Sequence, residues 1–184
     1  MPPKQRITRE MILERSFEMF CAEGMGAVNA RSVAKALNCS TQPIFSYYTG
    51  MDDLKQTLDQ KALSMFESRV KEALQVGSEL DECCLTYIHF AAEQPNLFAH
   101  LFMRDSGNAK FDVVRELHLG LVQKESERYG VSMEQARDLM DKMWTCTHGL
   151  AALVAIGKRS FDEERVKRLL ADTRKGFEFC LKNP

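Results

Sequence analysis

Gln42 is well suited to reading a base edge, because its primary amide can pair bidentately with adenine. Its neighbours extend that chemistry. Pro43 and the Thr41 methyl offer apolar contact to a thymine methyl. Ser46, Tyr47 and the Thr41 hydroxyl can reach phosphates or base edges. For these groups to act together, a short helix must present them on one accessible surface.

The segment 31–48, RSVAKALNCSTQPIFSYY, supplies such a support as two short helices meeting at a tight turn. Val33, Ala34 and Leu37 recur at helical spacing and give the first helix an apolar face, with Ala34 small enough for close approach. Asn38 supplies the turn, since Asn tolerates left-handed backbone, and Cys39 fills the corner as a small hydrophobe. Ser40 reads as the N-cap of the second helix, which is expected to start near Thr41. Pro43 then falls in its first turn, where a missing N–H costs little. Ile44 and Tyr48, four residues apart, face back onto the first helix. The geometry suits a helix laid in the DNA major groove, and it also fits an ordinary helical hairpin.

The longer stretch from Ile12 to Leu54 resembles the DNA-binding domain of the TetR (TetR/AcrR) family of bacterial transcriptional regulators. Ile12, Leu13, Phe17 and Phe20, followed by Glu23 and Gly24, resemble the family's first helix. Val33 and Ala34 resemble its second-helix core, Ser40 to Tyr48 its recognition segment, and Asp53 and Leu54 the start of its fourth helix. The resemblance implies DNA contacts from Arg31, Ser40, Thr41, Gln42, Pro43, Ser46 and Tyr47; for Arg31 a solvated surface charge is the competing reading. Asn38, Phe45, Tyr48 and Met51 stand where the family commonly has Gly, Tyr, Phe and Lys. Phe45 lacks a phosphate-binding hydroxyl and Met51 an ammonium; Lys55, one turn beyond Met51, can stand in for the latter.

Composition fits a 184-residue chain of one or two domains with a substantial core: 45% of residues are hydrophobic and the mean hydropathy is −0.31. The net charge is −1, yet residues 1–50 hold six Lys or Arg against four Asp or Glu. Lys4, Arg6 and Arg9 can form a short basic arm over phosphates, or a frayed terminus. The N-terminus lacks the apolar run of a secretory signal and no stretch is apolar enough to span a bilayer, so a cytoplasmic protein without membrane contact is expected. The six cysteines show no CxxC spacing and read as reduced core residues. The four histidines form no ligand pair, so no metal is expected. No acidic pair, nucleophile–base pair or Gly-rich phosphate loop points to an enzyme or a cofactor.

Beyond Leu54 helical periodicity runs almost throughout, so the expected fold is all-α with about nine helices. A DNA-binding domain over 1–50 precedes a ligand-binding and dimerisation domain over 51–184, and a fourth helix over 52–76 joins them. That helix should place Leu54, Leu58, Ala62, Met65, Phe66, Arg69 and Ala73 near one face and end before Gly77. Ser78 or Asp81 opens the fifth helix, and Gln94-Pro95 closes it. A short helix follows from Pro95, then a loop at 106–108 and a helix over 111–129. Capping-box spacings at Ser132/Gln135 and Ser160/Glu163 open two long closing helices over 133–156 and 162–181.

Phe90, Phe98, Phe102, Met103, Phe111, Leu117, Met140, Met143 and Trp144 can line a pocket for a small-molecule effector, with Tyr87, His89 and His148 orienting the ligand; the same stripe also fits plain core. For His148 a structural hydrogen bond to a carbonyl is the preferred reading. Trp144, His148 and Gly149 resemble the Trp-His-Gly signature of one TetR-family C-terminal type. In that family the last two helices pair with their copies, which implies a homodimer with Gly149, Ala151, Ala152, Phe177 and Leu181 at the seam. The resemblance further implies a repressor on a palindromic double-stranded operator, released when an effector moves the fourth helix. The alternative is a helical ligand-binding or scaffolding protein whose DNA-binding domain is degenerate.

Overall fold

A computed structural model describes residues 7–76, 80–104 and 112–182. Among the described residues there are nine α-helices, one 3₁₀ turn and no strand. The expected basic residues Lys4 and Arg6, the breaks at Gly77 and Ser78, the loop at 106–108, and Phe111 lie outside the described residues, as does the side chain of Leu117.

The helices are α1 (Arg9–Glu23), α2 (Ala30–Ala36), α3 (Gln42–Tyr47), α4 (Met51–Val76), α5 (Leu80–Glu93), α6 (Pro95–Phe102), α7 (Asp112–Tyr129), α8 (Met133–Ala155) and α9 (Glu163–Lys182). The chain forms two compact units: Met1–Ser64 with Asn96–Arg104, and Met65–Pro95 with Asp105–Pro184. The compact division thus falls inside α4 and not at residue 50.

In the first unit, α1 packs on α2 and α3. Ile12, Phe20, Val33 and Ile44 are wholly buried, whereas Leu37 is only half-buried. The α2 end matches the expected turn: Asn38 has φ +51°, its N–H reaches the Lys35 carbonyl, and the Cys39 N–H reaches the Ala34 carbonyl. These two bonds close a Schellman motif, which satisfies carbonyls that the helix end would orphan. At the other end of α2, Asn29 and Ser32 form a reciprocal capping box. The α6 helix joins this unit by burying Leu97, Phe98 and Leu101, and by two polar ties. Asn96 Nδ2 donates to the Cys21 carbonyl at 2.9 Å, and His100 Nε2 lies 2.6 Å from Asp59 Oδ1.

Three local expectations need correction. Thr41, not Ser40, holds the N-cap position of α3 and makes no side-chain cap, because its backbone is already helical at φ −72° and ψ −16°. A capping oxygen reaches the free amides from an extended residue. Ser160 and Glu163 do not form the second box; Asp162 Oδ1 accepts from Arg165 N at 3.0 Å and caps α9 instead. The buried row of α4 runs Leu54, Leu58, Ala62, Phe66 and Val70, so Val70 takes the place expected for Arg69. The Ser132/Gln135 box forms as expected.

In the second unit, α5 packs on α8 and α9, and α8 also packs on α7 and α9. Arg174 on α9 is buried and binds Asp81 Oδ1 of α5 at 2.8 Å, Glu125 Oε2 of α7 at 2.5 Å and Glu178 Oε1 at 3.2 Å. Tyr129 OH donates to Glu178 and accepts from Arg174 Nε. This polar tie among three helices joins residues too distant in sequence for any local pattern to pair. The cysteines are all unpaired, but Cys146 and Cys180 are exposed, against the expectation that all are core.

Candidate DNA-binding surface and interior cavity

Helix α3 has only six residues, so tertiary packing rather than intrinsic propensity holds it. Ile44 and Tyr48 anchor it from below, with the Arg9 guanidinium 5.1 Å over the Tyr48 ring. Burial pushes the Tyr48 phenol up, and its OH has no hydrogen-bond partner among the described residues. Gln42, Phe45 and Ser46, at i, i+3 and i+4, share the opposite face and are all exposed. Phe45 is 53% exposed. The ring is thus uncovered amid polar neighbours, on the face that carries Gln42 and Ser46, and sequence reasoning left it out of the site. The signal was present in the spacing, since Phe45 cannot share the Ile44–Tyr48 face.

The other expected contacts lie close by along the chain. Arg31 is exposed at the start of α2 and has no hydrogen bond or ion pair among the described residues. Ser40 is exposed, while Thr41 and Pro43 are half-buried. Ser46 Oγ donates to the Gln42 carbonyl at 3.0 Å, which leaves its lone pairs outward. Tyr47, offset from the Gln42 face, donates to the Ile7 carbonyl at 3.3 Å and ties α3 to the entry of α1. Lys55 is half-buried in a first stretch of α4 that also holds Asp52 and Asp53. Asp53 Oδ2 accepts from the Thr49 amide at 2.9 Å and from its hydroxyl at 3.2 Å, which braces the link between α3 and α4.

Within the second unit lies a cavity of about 80 Å³ walled by α4, α5, α7 and α8. Of the residues expected to line a pocket, Tyr87, Met140 and Trp144 do so. Phe90 and Met143 are buried in the same unit but outside the wall. His148 stands behind it, its Nδ1 2.9 Å from Tyr87 OH and its ring stacked on Trp144. One partner of the ring is thus the Tyr87 phenol.

Phe98, Phe102 and Met103 belong to the first unit, outside this cavity's wall, where Phe98 and Phe102 lie 5.3 Å apart and Met103 is exposed. Helical spacing shows that a face is apolar but not which core receives it. Missed were Phe66 and Val70 from α4, Leu80, Cys83 and Cys84 from α5, and Leu121 and Thr147. Burial pushes the Cys83 thiol up to about 11 and the Cys84 thiol up to about 12, and raises Tyr87 above the ordinary phenol range.

On α8 and α9, Leu153, Ile156, Leu169 and Phe179 are exposed, Ile156 at 55% and Phe179 at 68%. A Cβ built on Gly149 or Gly176 would meet open space. Ala151, expected on this face, is wholly buried in the unit's own core, while Ala152, Phe177 and Leu181 are half-buried. Among the described residues no cluster of potential metal ligands forms, and no helix is long and apolar enough to cross a membrane.

Residues 80–173 match the family model described as the Tetracyclin repressor-like C-terminal domain. The chain is 20% identical over 168 residues to the uncharacterised HTH-type transcriptional regulator YobS of Bacillus subtilis, covering 89% of this chain and 86% of that protein. Its fold is similar to a TetR-like transcriptional regulator from Rhodococcus sp. RHA1, with TM-score 0.65 and 16% identity over 92% of this chain and 96% of that one. A protein of unknown function from the same organism reaches TM-score 0.72 at 16% identity, over 96% and 98% of the two chains.

Proposed function

Because the chain belongs to the TetR family of DNA-binding transcription regulators, we propose that it acts as a homodimeric repressor of a palindromic operator, released by a small-molecule effector. The observation that carries the reading is the outward face of α3. Gln42, Phe45 and Ser46 stand exposed on a short helix anchored on its other side by the buried Ile44 and, just past its end, Tyr48. Gln42 pairs with adenine, Phe45 packs on a thymine methyl, Ser46 offers its outward lone pairs to a base-edge amino group, and Thr41 contacts phosphate or base edges. Arg31, Ser40 and Lys55 grip the backbone, Tyr47 joins them by turning its hydroxyl from the Ile7 carbonyl to a phosphate, Pro43 lies against the sugar-base edge, and Arg31 is the strongest cation of the set.

The exposed apolar residues of α8 and α9 meet their copies in the dimer, with Gly149 and Gly176 allowing close approach. Two α3 helices must then reach successive major grooves about 34–36 Å apart, so a shift of a few ångströms breaks one half-site. The cavity of the second unit receives the effector, and occupancy favours the dimer geometry that no longer fits the operator.

The test is binding of the full chain to its own promoter fragment across a salt series. The wild type should bind specifically with a steep salt slope, and Arg31→Ala should weaken binding and reduce that slope by roughly one counterion. An unchanged slope would remove Arg31 from the phosphate contacts.

A further inference from the structure

The cavity of the second unit has one feature that its apolar wall does not explain. Thr147 is 1% exposed and its Oγ1, in the cavity wall, has no hydrogen-bond partner among the described residues. The Cys84 thiol lies beside it, and sulfur is only a weak hydrogen-bond partner for a hydroxyl. A buried hydroxyl without a partner is costly, and a second atom delivered into the cavity would relieve it.

No wall residue is ionised at neutral pH. Two cations act on the wall's thiols. Lys124 is solvent-exposed and offset by Glu82. Arg174 is already held by Asp81, Glu125 and Glu178, so that cluster is net negative. An anion entering the cavity would lose its hydration and find no free positive partner, and an ammonium would find no carboxylate on the wall. A water-sized position needs roughly 10–15 Å³, so a cavity of about 80 Å³ holds a ligand of about five to eight non-hydrogen atoms.

We infer that this cavity takes an uncharged, largely apolar small molecule whose single polar atom pairs with the Thr147 hydroxyl, with Trp144 at the cavity's solvent-facing wall. The assignment rests on reading this domain as the effector-binding half. Trp144 is 41% exposed, lines the cavity and is the sole tryptophan of the chain, so its emission reports occupancy.

The experiment titrates the full-length protein with 1-hexanol, hexanoate and hexylammonium, read by Trp144 fluorescence and by calorimetry. Hexanol should bind saturably, with both ions at least roughly tenfold weaker. Thr147→Val keeps the shape, removes the hydroxyl and should lower hexanol affinity roughly two- to tenfold. Cys83→Phe, which fills the cavity, should abolish binding. Equal binding of hexanoate or hexylammonium, full affinity in Thr147→Val, or no saturable binding of hexanol would each overturn the assignment. Promoter binding measured on the same preparation keeps the two readings apart. Specific DNA binding without hexanol binding overturns only the cavity's ligand class, whereas hexanol binding without specific DNA binding overturns only the regulator.

Discussion

Phe45 shows how a single exposed side chain changes the account of the site. By family resemblance it reads as the loss of a tyrosine hydroxyl, but it stands between Gln42 and Ser46 on the solvent face, and in the proposed complex it is an apolar reader of thymine. Replacing the contacted thymine by deoxyuridine removes the methyl group. That change should weaken the wild type by about 1 kcal/mol and leave Phe45→Ala nearly unaffected, as measured by fluorescence anisotropy. Equal weakening of both proteins would place the ring elsewhere. Cys84 carries a separate prediction. Burial raises its thiol from 9.0 to about 12, so between those values the unfolded chain releases a proton that the folded chain keeps. The unfolded state then binds fewer protons, and stability falls as pH rises through that window. Urea midpoints should drop from pH 9 upward, and Cys84→Ala should flatten the slope. An unchanged slope would assign the alkaline loss to Cys83, Tyr48 and Tyr87, whose thiol and phenols are raised in the same direction.

Among the elements, the pair α2 and α3 was legible in the sequence because its determinants are local. Asn38 turns left-handed where the sequence calls for a turn, and Val33, Ala34, Ile44 and Tyr48 are buried as their spacing requires. Where the reading missed, a nearby equivalent was available: Asp162 lies closer to α9 than Ser160, and Thr41 enters α3 already wound. The cavity was legible only in part, because Tyr87, Met140 and Trp144 meet Thr147, Phe66 and Leu121 across helices that no single window spans. The same holds for Arg174, which ties α5, α7 and α9. Arg174→Met should cost about 3–5 kcal/mol in urea unfolding, since Glu125 is left buried and unpaired, and adding Glu125→Leu should recover much of that loss. A single-variant cost below about 1 kcal/mol would show that the network contributes little beyond packing.

At the scale of the whole molecule, the exposed apolar residues on α8 and α9 belong to a surface that a partner copy covers in the proposed repressor. Ile156→Glu should yield a folded monomer by sedimentation with unchanged helicity, and specific operator binding should be lost with it, because one α3 alone reads only a half-site. A variant that remains dimeric would move the interface off this face. The proposal that the outward face of α3 reads bases in DNA is tested most directly by comparing wild type and Gln42→Ala on operator and random duplexes at one salt concentration. The predicted result is an operator-specific loss of about 1–3 kcal/mol with random-sequence binding unchanged. An equal loss on both duplexes, or no sequence preference in the wild type at low salt, would contradict it.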